Sequence, residues 1–377
     1  MIVHRKVVRL GRPAIESDDM QSLIAVLATG HLVQGPVVEN FERKLGGLLG
    51  IAHAIAVSSG TAALHLALKA LGIGRGDDVV VPAFTFPATA NVVEWLGARP
   101  VFCDIAPGSF NAGPEEVARA VTKKTRAVIP VHAFGIPSDI RAIAAAAAGE
   151  FPGRRKPFIV EDAACALGAS LRQEPAGTMG DVGCFSFHPR KIMTTGEGGL
   201  LVTSDEAIAN RVRSLRSHGL VRNGKGYAMT EPGLNYRMTD LAAALGTAQL
   251  SRLESMLARR ARIAGSYREA LGRFADISMP CGPADSVVAH QSFVVQFRTQ
   301  ALRRRAEEVL QRRGVETTFG THCVPMLDWY RRRYRLKTRM FPRAWAAQEK
   351  TLTLPLHPGL SAEEQGLVVR CIREALS

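Results

Sequence analysis

The sequence predicts an α/β protein: a large, mostly parallel sheet covered by helices on both faces, followed by a smaller C-terminal α/β domain. Short apolar runs of strand length alternate with helix-length segments through the first half of the chain. Parallel strands joined by crossover helices read this way. A length of 377 residues with 46% apolar content is enough for a sizeable core and for two domains. The division is expected near residue 255, with 1–255 as the larger domain and 256–377 as the smaller.

Taken in order, Met20, Leu23, Ile24 and Leu27 repeat at helical spacing, and the pattern ends near Gly30. The Gly35-Pro36 turn precedes a second helix from Val37 to about Leu49. Ile51–Val57 reads as a buried strand, after which Ser58-Ser59-Gly60-Thr61 opens a helix through Leu71. Val79–Val81 is the next strand, and Pro82-Ala83-Phe84-Thr85-Phe86 leads from it to a helix from about Ala88. Val101–Asp104, Ala127–Val131 and Phe158–Glu161 follow as strands. The alanine run 142–148 is helical by propensity. Leu200–Val202 is of β type, and one long helical pattern runs from Thr239 past Tyr267 as a bridge to the second domain. There, Ser292–Phe297 and Gly314–Thr317 read as strands, and Ala301–Arg313 and Ala362–Leu376 as helices.

Composition narrows the function. No apolar run reaches the ~18 residues of a transmembrane helix, and the charged start MIVHRKVVRLGRP is unlike a signal peptide. Cys103, Cys165, Cys184, Cys281, Cys323 and Cys371 are scattered, without a CxxC pair or metal-ligand spacing. That favours reduced thiols in the cytoplasm and no metal. The net charge of +14, densest at Arg303–Arg305, Arg312-Arg313 and Arg331–Arg335, suits anionic partners. No helix-turn-helix, zinc-finger or RNP signature accompanies it, so nucleic acid is not the expected partner. A solvated arginine-rich surface is the simplest account, and a phosphorylated small ligand the next.

Three local features carry chemistry. Ser59-Gly60-Thr61 sits where a strand ends and a helix begins, either an ordinary N-cap or an anion site of free backbone N–H groups. Glu161 and Asp162 end a strand; an aspartate there can hold a protonated ring nitrogen, or cap a following helix. Lys191 stands between the apolar run Cys184–Phe187 and the glycine-rich turn Gly196–Gly199. It is either a surface lysine or a nucleophile able to form a Schiff base. GIGRGD, residues 72–77, lacks the context of a dinucleotide fingerprint and reads as a turn. Phe84 and Phe86 are core aromatics by default, with stacking on a flat cofactor as the alternative. His188 and His218 are polar candidates near the lysine or on nearby loops. Together, a phosphate cradle, an acid at a strand end and a lysine 29 residues later (191 − 162) match the three handles of pyridoxal phosphate, PLP: phosphate, ring nitrogen and aldehyde.

Several stretches then resemble one family, the DegT-type sugar aminotransferases of the aspartate aminotransferase fold (fold type I). They are GHLVQGPVVENFE (30–42), AVSSGTAALHLAL (56–68), GDDVVVPAFTFPATAN (76–91), GARPVFCDI (97–105), AVIPVHAFG (127–135), VEDAACALGA (160–169), GDVGCFSFHPRKIMTTGEGG (180–199), GLNYRMTDLAAALGTAQL (233–250) and TLPLHPGLSAEEQ (353–365). The resemblance spans nearly the whole chain in family order. It implies Lys191 as the Schiff-base lysine and proton shuttle, Asp162 as the partner of the ring nitrogen, and Phe86 as the stacking ring. Gly60, Thr61 and Ser186 would hold the phosphate, joined by Asn235 from a neighbouring subunit, which implies a homodimer with shared active sites. Cys165 stands near the ring oxygen, where many relatives carry Gln or His. His188 and His322 are the residues nearest a substrate role.

The activity implied is transfer of an amino group from glutamate to a nucleotide-linked keto-sugar in amino-sugar biosynthesis. The form HPRKIMTTGEGG is more similar to relatives acting on 4-keto sugars than on 3-keto ones. Two rival readings stay open: a non-transaminating sugar dehydratase, against which Lys191 argues because those relatives replace it with histidine, and a catalytically idle regulatory or binding protein.

Overall fold

Seven strands make the central sheet of this computed structural model, which describes residues 7–150, 156–224 and 226–377. The charged start set against a signal peptide lies partly outside the described residues, at positions 1–6. The strands are β1 (His53–Val57), β2 (Asp78–Pro82), β3 (Arg99–Cys103), β4 (Thr125–Val128), β5 (Phe158–Asp162), β6 (Val182–Ser186) and β7 (Gly199–Thr203), in the order β1-β7-β6-β5-β4-β2-β3. Neighbours from β3 through β6 are parallel. β7 alone runs antiparallel, to β6 and to β1. The expected mostly parallel sheet is therefore present. β4 is shorter than its apolar run because Pro130 has no N–H to extend the ladder; Val131 makes only a single bridge, to Asp162.

The helices on the two faces include α1 (Ser17–Thr29), α2 (Pro36–Leu49), α3 (Gly60–Ala70), α4 (Ala88–Trp95), α5 (Pro114–Ala120), α6 (Ile140–Gly149) and α7 (Glu206–Arg216). The single long helix expected from Thr239 is two, α8 (Asp240–Leu250) and α9 (Leu253–Leu271). The apolar spacing continues across the break, but Arg252 is drawn to the fully buried Asp19 of α1 at 2.9 Å and to Glu16 at 3.3 Å. That tertiary anchor, invisible to periodicity, ends one helix and starts the next.

The second sheet joins β8 (Ile277–Ser278), β9 (Phe293–Phe297) and β10 (Thr351–Leu354), all antiparallel. It packs with α10 (Gln300–Arg312) and the C-terminal helix Ala362–Leu376 around Tyr267, Phe297, Leu310 and Ile372. The strand expected at Gly314–Thr317 is absent among the described residues: Val315 instead makes a lone parallel bridge to Val8. Met256 packs with the core under the large sheet and Ile263 with that of the small one, so we place the domain division within α9.

Ala289–Ser292 crosses between the two sheets. Ala289 and Gln291 donate backbone N–H bonds to Gly135 and Phe134, while buried Arg260 holds the carbonyls of His290, Gln291 and Leu356. Burial, with Arg268 and Arg260 nearby, pushes the His290 imidazole down to about 4. The folded protein thus resists a proton that the unfolded chain accepts near pH ~6.5. Stability should be full above that value and fall as pH drops toward the folded value. Melting temperature followed over that window should show the fall. His290→Asn, which tolerates the residue's positive φ of 48°, should flatten it.

Candidate active site

The sequence-predicted acids, amine and hydroxyls gather at the carboxyl end of the parallel strands. The chain leaves β1 through Ser59, whose hydroxyl accepts the N–H of Ala62 at 3.0 Å and caps α3. The N-cap reading therefore holds for Ser59, and it leaves the first-turn N–H groups of Gly60 and Thr61 without intrahelical partners. A Cβ at Gly60 would lie 2.8 Å from the Ser186 Cβ. Only glycine lets the start of α3 meet the end of β6 this closely. The Ser186 hydroxyl accepts a long bond from the His188 N–H, 3.4 Å, and its own proton stays available.

Strand alternation separates the two acids at the end of β5. Glu161 is fully buried and accepts from the Gly177, Met179 and Gly180 N–H groups at 2.7, 2.7 and 2.5 Å. His132 adds a fourth bond from Nε2 at 2.9 Å, its proton placed there because Nδ1 accepts the Ser138 N–H at 3.0 Å. Glu161 is thus a structural anchor. Asp162 faces the other way, 6% exposed. Its Oδ2 accepts from the Thr89 hydroxyl at 2.8 Å and its Oδ1 from the Ala164 N–H at 3.2 Å. The alternative that Asp162 caps a following helix fails, since residues 163–169 form turns.

Thr89 is fully buried at the start of α4 and 3.0 Å from the Thr85 hydroxyl; sequence reading passed it over. Its one signal was a hydroxyl in the first turn of a helix that follows a strand end. Thr89→Val keeps the shape and removes the donor to Asp162, which should cost about ten-fold in kcat, the scale of one charge-assisted hydrogen bond. Steady-state rates beside an unchanged far-UV spectrum will check this.

Lys191 lies in the loop between β6 and β7. Its neighbours Ile192 and Met193 are buried in the core with Phe41, Phe185 and Phe187. The loop is pinned further by Gln249 of α8, whose amide takes the Thr194 N–H at 3.0 Å and donates to the Thr194 carbonyl at 3.1 Å. Gln249 was a second omission, a lone amide in an apolar helix. The half-buried Lys191 side chain reaches inward, and Nζ donates to the Cys165 sulfur at 3.1 Å.

The rim is aromatic. Phe84 is core, but Phe86 is 67% exposed, and its carbonyl accepts the Thr89 N–H at 3.2 Å. His322 pairs across from Thr85, with its ring 6.5 Å from that of Phe86; burial lowers its pKa. His188 is turned outward, its Nδ1 taking the Arg190 N–H at 3.2 Å and its Nε2 4.0 Å from Glu197. His218 is exposed. Asn235 is exposed as well and bridges Ser217 through the backbone. Beside it in sequence, the paired strands 220–223 and 226–229 and Leu234 expose Leu220, Val221, Tyr227, Met229 and Leu234.

No group of three potential metal ligands occurs among the described residues, and none of their helices is long and apolar enough to cross a membrane. A separate hollow at the amino ends of the strands has both its acids engaged: Asp78 accepts from Arg99 at 2.7 and 2.6 Å and from Thr122 at 2.6 Å, and Asp77 from the Gly74 N–H at 3.0 Å.

Comparison with known proteins places nearly the whole chain among sugar aminotransferases by sequence and fold. The chain is 37% identical over 375 residues to the spore coat polysaccharide biosynthesis protein SpsC of Bacillus subtilis, covering 96% of this chain and 95% of that one. Among solved structures it is similar to the aminotransferase TlmJ of Streptoalloteichus hindustanus, with a TM-score of 0.92, 32% identity, and 98% and 99% of the two chains covered. It is also similar to Spr1654 of Streptococcus pneumoniae in its PLP form, with a TM-score of 0.93, 27% identity, and 98% and 99% covered. A family model matches residues 13–373. This chain belongs to the DegT/DnrJ/EryC1/StrS aminotransferase family.

Proposed function

We propose that the protein is a PLP-dependent aminotransferase that moves an amino group from glutamate to a nucleotide-linked keto-sugar, with a 4-keto-6-deoxy sugar as the favoured acceptor and amino-sugar or polysaccharide biosynthesis as its setting. The observation that carries this is the convergence of Lys191, the Asp162–Thr89 pair and the Gly60–Ser186 contact on one end of the sheet. The residues fit the cofactor: an amine for an aldehyde, a carboxylate for a ring nitrogen, and a side-chain-free cradle with a hydroxyl and two N–H groups for a phosphate. The match to Spr1654 in its PLP form supports the same choice.

When bound, PLP supplies an aldehyde and an electron-withdrawing ring. Asp162, aimed by Thr89 and the Ala164 N–H, is placed to keep a proton on the ring nitrogen. Gly60, Thr61 and Ser186 would hold the phosphate at the positive end of α3, and Phe86 would stack on the ring. Lys191 would be the amine that holds the aldehyde and, when free, the base that moves a proton at the donor's α-carbon. Cys165, in contact with that amine, would be the residue near the ring oxygen. His322, and less directly His188, lie where the sugar would enter, and the excess of arginine suits a diphosphate.

Asn235 acts across a homodimer in this reading, completing the phosphate site of a second copy. The exposed apolar strand pair and Leu234 near it support an interface there. The six free cysteines are in keeping with a cytoplasmic enzyme.

The test is direct. Purified protein with PLP should show a visible band that glutamate bleaches, and a panel of nucleotide-linked 3-keto and 4-keto sugars should restore it, the 4-keto members fastest. Protein that never develops the band with added PLP would refute the assignment. Sedimentation should give a dimer, and Asn235→Ala should weaken PLP retention without dissolving the dimer.

A further inference from the structure

The six cysteines have very different surroundings. Cys103, Cys184, Cys323 and Cys371 are buried in the cores, and Cys281 is exposed, 3.1 Å from an Arg268 nitrogen. Cys165 is half-buried, and its sulfur touches the side-chain nitrogen of Lys191 at 3.1 Å. The two residues lie 26 apart in sequence and are held from opposite sides. The Cys165 carbonyl packs against the turn at Gly135, where a Cβ would stand 3.0 Å away. The lysine backbone donates to the His188 carbonyl at 2.8 Å and is followed by the buried pair Ile192 and Met193. A thiol and a primary amine are thus fixed in contact, and both are partly open to small solutes.

We infer that Cys165 and Lys191 are a covalent modification site: under a peroxide oxidant they close a reversible sulfur–nitrogen cross-link. In the first step the Cys165 sulfur attacks one oxygen of hydrogen peroxide. The O–O bond breaks, water leaves, and the sulfur becomes a sulfenic acid, oxidised by two electrons as the peroxide is reduced by two. In the second step the neutral Lys191 amine attacks that sulfur. The S–N bond forms, the S–O bond breaks, and the hydroxyl departs with an amine proton as a second water. Thiols undo the link: one displaces the lysine and leaves a mixed disulfide on Cys165, and a second reduces that disulfide. The bond itself rests on the observed contact alone. Its consequence, that a capped Lys191 cannot capture an aldehyde while a lysine already joined to PLP is spared, rests on the proposed function.

The experiment treats full-length protein, with and without PLP, with hydrogen peroxide and maps the peptides by mass spectrometry. The expected product joins the Cys165 and Lys191 peptides and is two hydrogens lighter than their sum. It should revert with dithiothreitol, disappear in Cys165→Ser and in Lys191→Arg, persist in Cys281→Ser, and be suppressed by PLP. Circular dichroism will confirm that the variants are folded. Oxidation of Cys165 to sulfinic or sulfonic acid with Lys191 unmodified would overturn the inference. So would an untouched Cys165 at a peroxide dose that oxidises Cys281. A separate readout follows the visible band on adding PLP to oxidised protein, which should appear only after thiol treatment. A cross-link that forms while PLP capture proceeds unchanged upholds the modification site and refutes the assigned role of Lys191.

Discussion

Lys191→Ala should abolish amino transfer, with kcat/KM falling by at least about 10⁴-fold, the upper range for a single positioned acid–base group. In the proposed function one nitrogen would perform two tasks, capture of the aldehyde and proton movement at the donor's α-carbon, and nothing beside it substitutes for either. Cys165 is the atom's recorded contact, and a thiol cannot form the carbon–nitrogen link. The outward-turned His188 is engaged with the Arg190 N–H and Glu197. The variant should remain folded, since Ile192, Met193 and the Gln249–Thr194 bonds keep the loop in place without the amine. It should bind PLP without the visible band of the lysine-bound form. An intact band would end the assignment, and kcat/KM against glutamate together with an absorbance scan will decide.

Asp162→Asn is expected to be the next most damaging change, lowering kcat by about 10²–10⁴-fold with a smaller effect on KM. An amide is uncharged, so it no longer favours a proton on the ring nitrogen. It could still accept the Thr89 hydroxyl, which keeps the fold near wild type. The expected signature is therefore a kcat loss with unchanged thermal stability. A variant with wild-type kcat would remove Asp162 from the mechanism. Thr89→Val should show the same pattern more weakly, because it disturbs the aim of the carboxylate and not its charge.

Most of the central sheet was readable because buried parallel strands are short apolar runs set off by turns, and Val79–Val81 and Phe158–Glu161 are clear instances. The lysine stretch was readable for a related reason, polar chemistry standing in apolar company. What escaped were features set by distant partners. Arg252 splits a helix only because Asp19 lies more than two hundred residues earlier in the chain, and no local pattern records that. Val315 looks like a strand because it is apolar, but its pairing depends on the few residues around Val8. Thr89 and Gln249 are single polar residues whose importance comes entirely from what they face. Phe84 and Phe86, equivalent in sequence, proved opposite in burial.

The two bonds between Gln249 and Thr194 also have a kinetic meaning. By secondary structure, residues 187–198 are a loop. By connectivity, they are fastened to α8, whose Asp240 in turn takes the Gly35 and Val38 N–H groups at the start of α2. Amide hydrogens of this loop, Thr194 above all, should therefore exchange with solvent about as slowly as those of the central strands, through the same cooperative opening. The segment that carries the reactive amine would then be among the most rigid connections in the molecule, with motion confined to the four methylenes of the lysine itself.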